Sequence, residues 1–127
     1  MAHKILVADD EPAIANVVAK KLANAGLEVI VAMDGQEAYD LAKADRPDFL
    51  ITDLQMPGMS GLELIARLTA ELDEEIPTIL LTAKGFEINR ASVAHLPICR
   101  IVTKPFSPRE LLTCVQEALG LARGAVA

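Results

Sequence analysis

Five short apolar runs recur along this chain, and each is followed by a segment with a different period. That alternation constrains the fold more than any single motif. The runs fall at residues 4–8, 27–32, 49–51, 78–81 and 98–102. The central one, Phe49-Leu50-Ile51, is short, apolar and bulky, as a strand buried on both faces should be. Between the runs, apolar residues return every three or four positions, which is the period of a helix. Residues 12–25 carry Ile14, Val17, Val18, Leu22 and Ala25 at that spacing, with Pro12 suited to the first helical position and Gly26 as a stop. Asp34 with Glu37, and Ser60 with Glu63, are capped helix starts. Their inward faces should hold Ala38, Leu41 and Ala42, then Leu62, Ile65, Leu68 and Leu72. Ser107-Pro108-Arg109-Glu110 opens a last helix carrying Leu111, Leu112, Val115, Ala118 and Leu119. Residues 85–96 are the least patterned, and the spacing predicts only a short or imperfect helix ended by Pro97. Five strands alternating with five helices define an α/β fold whose parallel sheet is covered on both faces.

A chain of 127 residues suits one domain, with its core in residues 4–119 and a loosely specified tail in 120–127. Hydrophobic residues make up 52% of it but aromatics only 3%, so the core must be aliphatic. A net charge of −6, with Lys and Arg scattered, argues against binding nucleic acid or a membrane surface. No apolar run is long enough to span a bilayer, and the N-terminal residues lack a signal segment. Cys99 and Cys114 have no metal-ligand spacing and read as reduced thiols of a cytoplasmic protein.

Right-handed crossovers put the carboxyl ends of all parallel strands on one edge. Asp9 and Asp10 follow the first strand, Asp53 ends the third, Thr82 the fourth and Lys104 the fifth. Each has an ordinary explanation alone: helix-dipole complementation, a strand end, a cap, a surface turn. Their recurrence in order after successive strands points instead to one pocket. Three clustered carboxylates repel, and without a cation at least one pKa should rise. Mg²⁺ suits such oxygen ligands, whereas no His or Cys at these strand ends favours zinc. An Asp can act as a nucleophile toward phosphorus. Mg²⁺, the Lys104 ammonium and the Thr82 hydroxyl could each take one oxygen of the transferring group.

Those residues lie in LVADDEP, DLQMPGMSG, LLTA and KPF, and in combination they resemble a response-regulator receiver domain. The resemblance runs from Lys4 to about Leu119. It implies a flavodoxin-like (β/α)5 fold with strand order 2-1-3-4-5. It further implies Asp53 as phosphoacceptor, and Mg²⁺ bound by Asp10, Asp53 and the backbone carbonyl of Gln55, with Asp9 acting mainly through water. Thr82 and Lys104 would hold the phosphoryl group, and Lys104–Pro105 would be cis. Gln55 and Lys84 would tune phosphoryl lifetime. The donor would be a histidine kinase or histidine phosphotransfer protein. The signal would leave through contacts with a downstream protein, with dimerisation on activation as one option. Two positions depart from the family pattern: Ile101 replaces a usual aromatic, and Leu96-Pro97-Ile98-Cys99 replaces a small Gly-Ala turn. Two rivals to the switch are a receiver-like binding module that needs no phosphorylation and a small Mg²⁺-dependent phosphohydrolase. The second is disfavoured because Asp53-Leu54-Gln55 lacks a second acid two residues on. His3, His95, Met33, Met56 and Met59 read as structural or loop residues.

Overall fold

The computed structural model describes residues 3–83, 85 and 87–120. Strand β1 (Lys4–Ala8), β2 (Glu28–Ala32), β3 (Phe49–Asp53), β4 (Thr78–Thr82) and β5 (Ile98–Thr103) form one parallel sheet in the order β2-β1-β3-β4-β5. The helices are α1 (Pro12–Asn24), α2 (Gly35–Ala44), α3 (Gly61–Glu71) and α4 (Pro108–Ala118). The fold class and strand order are those expected. Among the described residues no helix is long and apolar enough to cross a membrane.

Side chains alternate between the faces of a strand, so each strand feeds two apolar layers. Ile5 and Val7 of β1, Phe49 and Ile51 of β3, and Ile79 and Leu81 of β4 pack with Val18, Leu22, Leu111 and Val115 from α1 and α4. Leu6, Ala8, Leu50 and Leu80 point the other way, onto Ala38, Ala42, Leu64, Ile65 and Leu68 of α2 and α3. Every residue of β3 and β4 is buried, which is why those runs show no polar alternation. Edge strands β2 and β5 are partly exposed.

The expected caps form. Asp34 accepts from the Glu37 amide at 2.8 Å and Ser60 from the Glu63 amide at 3.1 Å. Ser107 accepts from the Glu110 amide at 3.4 Å.

Four expectations need correcting. The fourth crossover carries only a 3₁₀ turn, Arg90–Val93, with no buried residue and an Asn89 side-chain cap. Without an apolar stripe there, nothing holds a full helix to the sheet. In α1, Ala15 rather than Val17 faces the core, and Val17 is 52% exposed, while Ala25 lies at the open C-cap. In α3, Leu64 is fully buried, and Leu62 and Leu72 are only partly so. In α4, Ala118 is exposed. The tail beyond residue 120 lies outside the described residues.

Phe49 is the largest fully buried side chain of the central strand. Phe49→Ala is expected to destabilise the fold by about 3–5 kcal/mol. Val17→Ala should stay within about 0.5 kcal/mol of wild type. Urea denaturation measures both.

Candidate functional site

Register brings the strand ends together. Ala8 pairs with Thr52, Asp53 with Leu81, and Thr82 with Thr103. The chain order reverses between β1 and β3, and in open α/β sheets ligands bind outside that switch point. Asp9 follows β1 there and Asp53 ends β3. Asp9 is fully buried and Asp53 only 7% exposed. Carboxylate oxygens of Asp9, Asp10 and Asp53 all lie within 4.8 Å of one another.

Lys104 supplies the countercharge. Its Nζ lies 3.2 Å from Asp53 Oδ2, 3.3 Å from Asp9 Oδ2 and 2.7 Å from Glu11 Oε1. Its backbone is held too, because the Lys104 amide donates to the Thr82 carbonyl at 2.7 Å. The Lys104–Pro105 peptide is cis, as the resemblance implied.

Burial pushes both Asp53 and Asp9 above the usual carboxylate range. Lys104 opposes that rise at Asp53, and the Glu11 amide, 2.9 Å from Asp9 Oδ1, opposes it at Asp9. For Lys104, burial alone would lower the pKa. The Glu11, Asp9 and Asp53 carboxylates outweigh it and hold the ammonium above the ordinary lysine value.

Asp9 Oδ2 is buried and accepts no hydrogen bond, so its 3.3 Å approach to Lys104 is an ion pair without hydrogen-bond geometry. An orphaned carboxylate oxygen beside two more carboxylates fits a hard divalent cation. No His or Cys belongs to the cluster, which argues against zinc.

The backbone beneath Asp53 is fixed. Its carbonyl accepts from the Thr52 hydroxyl at 3.0 Å, and the Leu54 amide donates to Leu81 at 2.8 Å. The Gly61 amide donates to the Leu54 carbonyl at 2.8 Å. A Cβ at Gly61 would lie 2.2 Å from the Asp53 carbonyl oxygen, so only glycine lets α3 start this close. Gly35 plays the same part at the far end of the loop, where a Cβ would lie 2.4 Å from the Met59 carbonyl oxygen.

The acidic pocket, about 220 Å³, is lined by Asp10, Glu11, Asp53, Gln55, Ala83 and Lys104. Thr82 does not line it. It opens instead on a neighbouring cavity of about 260 Å³ with Ile88, Arg90, Ile101 and Thr103. Strand alternation explains the separation. Asp53 stands two residues beyond Ile51, in the α1/α4 layer, whereas Thr82 stands two beyond Leu80, in the α2/α3 layer.

Glu11 was not singled out from the sequence, because a third acid before a helix resembles dipole complementation. Gly61 and Gly35 were also missed, and their only signal was a glycine directly after each helix cap. Lys84 lies outside the described residues. His3 and His95 do not line the acidic pocket, and both cysteines are free thiols.

A doubly wound parallel sheet with a carboxylate cluster, buried at Asp9 and Asp53, and a lysine at its switch point defines a narrow class of α/β domain. Within that class the chain belongs to the response regulator receiver domain family, which it matches over residues 5–116. Solved structures agree. The Francisella response regulator 1452 receiver domain is 32% identical, with a TM-score of 0.81, covering 91% of this chain and 94% of that one. The chemotaxis response regulator CheY4 of Vibrio cholerae is 30% identical, with a TM-score of 0.83, covering 92% and 98%. A receiver domain protein from Clostridium thermocellum is 26% identical, with a TM-score of 0.82, covering 94% and 95%.

Two outcomes follow from this geometry. Gly61→Ala forces α3 off the Asp53 peptide and should cost about 1–3 kcal/mol in chemical denaturation. The second concerns pH. A carboxyl whose pKa is raised in the fold loses stability as pH rises from the ordinary carboxylate value through the raised one. Asp53→Asn removes that loss while Lys104 keeps Asp9 and Glu11. Without divalent cations the variant should melt above wild type near neutral pH, as read by a thermal melt. The gap should close as pH falls toward about 4.

Proposed function

We propose that this receiver domain is a phosphorylation switch in two-component signalling, with Asp53 as the phosphoacceptor. The observation that carries this is the placement of Lys104 Nζ 3.2 Å from Asp53 Oδ2, in a pocket shared with Asp10 and bordered by the buried Asp9. An Asp53 oxygen attacks the phosphorus of a phosphohistidine on a histidine kinase or phosphotransfer protein. The new P–O bond forms as the P–N bond breaks, and the imidazole leaves with the electron pair. The fixed backbone under Asp53 orients that oxygen, and Lys104 binds a phosphoryl oxygen as a point charge. Mg²⁺ would be held by Asp10, Asp53 and the Gln55 carbonyl, with Asp9 acting mainly through water, and would neutralise charge on the phosphoryl oxygens.

Thr82 is the element that moves. It lines the cavity on the other face of the strand end, so reaching a phosphoryl oxygen on Asp53 requires it to turn toward the acidic pocket. That gives two states of the edge with different affinity for the phosphoryl group, which a population shift requires. Ile101 borders the same cavity and carries the relay in place of an aromatic ring. Residues 4–119 are the switching unit, acting in the cytoplasm. Output leaves through contacts with a downstream protein, and pairing with a second copy is one route. The domain is a phosphoacceptor rather than an enzyme.

Intact-mass measurement after incubation with acetyl phosphate tests this. Wild type should gain one phosphoryl adduct only when Mg²⁺ is present, and Asp53→Ala should gain none. No adduct on folded wild type that still binds Mg²⁺ would favour a receiver-like binding module that works without phosphorylation. Turnover of a phosphate ester with no adduct would favour the hydrolase.

A further inference from the structure

Lys104 touches three acids, and the closest is the one outside the aspartate cluster. Glu11 Oε1 lies 2.7 Å from Nζ, against 3.2 Å for Asp53 and 3.3 Å for Asp9. Glu11 stands at the N-cap of α1 yet makes no side-chain cap, since its carboxylate turns to Lys104 instead. It is also the exposed member of the set: its side chain is 57% accessible, against 10% for Asp53 and 1% for Asp9. Its position is a gateway. Glu11, Ala83 and Lys104 line both the acidic pocket and an apolar groove that runs on past Ile14, Val17 and Phe106. A donor entering from that groove passes Glu11 first.

We propose that Glu11 is a latch on Lys104, a positioning residue that restrains phosphorylation of Asp53. This rests on the phosphoacceptor reading above. When the donor is an acyl phosphate, an Asp53 oxygen forms the new P–O bond, the donor's P–O bond breaks and the carboxylate leaves with the electron pair. Asp53 thereby gains a phosphoryl group and one further negative charge. Among the described residues Lys104 is the cation in contact with Asp53, and Glu11 competes for the same ammonium. Glu11 also adds its own repulsion to an anionic donor at the pocket mouth. The buried aspartates cannot be latches of this kind, because they are fixed parts of the pocket. Glu11 is free to swing into solvent once Lys104 turns to a phosphoryl oxygen.

The test compares wild type, Glu11→Gln and Glu11→Ala. Each is phosphorylated with acetyl phosphate at saturating Mg²⁺, followed by intact mass, at low salt and in about 1 M salt, where the Debye length is about 3 Å. Glu11→Gln keeps a hydrogen-bond acceptor but removes the charge, and should phosphorylate about three- to tenfold faster at low salt. Glu11→Ala should be at least as fast, and both variants should retain the phosphoryl group longer after the donor is removed. High salt should narrow the difference from wild type. A purely structural role would move the melting temperature without a salt-dependent change in rate. Phosphorylation of both variants at the wild-type rate, or slower, would overturn the latch while leaving Asp53 as acceptor. Absence of any adduct on wild type would overturn both.

Discussion

One ammonium among acids is the interaction on which this structure turns. Lys104 lies within 3.3 Å of carboxylate oxygens from Asp9, Glu11 and Asp53. At such distances Coulomb's law gives a unit charge pair about 5–6 kcal/mol at an effective dielectric of 20. Removing an ion from water costs several kcal/mol. The two effects are of similar size, and at the aspartates burial wins: both Asp9 and Asp53 sit above their ordinary pKa despite the lysine. Among the described residues, Lys104 does not offset what burial costs the charged forms of these two carboxylates. A site left in that condition gains from added cationic charge.

Such charges would relax apart if the scaffold allowed it. It does not, because their backbones belong to a sheet packed on both faces. Asp53 continues the fully buried β3, and its peptide is pinned by Thr52, by the Leu54–Leu81 ladder bond and by Gly61 from α3. The Lys104 amide is bonded to the Thr82 carbonyl. The apolar layers built on Phe49, Ile51, Ile79 and Leu81, and on Leu50, Ile65 and Leu80, supply the stability that the acidic edge spends. The site is preorganised because the core does not yield to local repulsion.

Much of this was legible in the residues. Period-2 and period-3.6 patterning located the strands and helices, since both faces of the sheet must be covered and each layer needs its own stripe. Ser60, Ser107 and Asp34 announced their helix starts through local hydrogen bonds that depend on only a few neighbours. The strand-end residues were legible because a parallel sheet leaves its carboxyl ends no other edge. The failures are non-local. Glu11 finds its partner 93 residues away, and nothing in a helix start specifies that. Gly61 is required by the approach of another backbone, not by its own dihedral preference. Val17 has helical spacing but falls off the buried stripe, because apolar identity does not fix which side of a half-covered helix meets the sheet.

Strand alternation sorts the functional residues more finely than their convergence does. Counting in twos, Asp9 follows Ile5 and Val7, and Asp53 follows Phe49 and Ile51, so both belong to the α1/α4 side. Thr82 follows Leu80, and Thr103 follows Ile101, so both belong to the α2/α3 side. The two sets meet only at the edge, where the sheet ends. Asp53 and Lys104 open on the acidic pocket, which Glu11, Ala83 and Lys104 join to the apolar groove beside α1, while Thr82 opens toward the fourth crossover. Under the proposed switch, phosphorylation of Asp53 would reach the other side of the sheet through Thr82 at the edge. The residues that share the Thr82 cavity are Glu87, Ile88, Arg90, Ile101 and Thr103. Ile101 is β-branched and stiff about χ1, so under that proposal it would register a change in Thr82 through packing and not by swinging between two sites as a ring would. The fourth crossover has no buried residue in its 3₁₀ turn to resist displacement. The acidic pocket and the Thr82 cavity thus open on opposite sides of one sheet and meet at its carboxyl edge.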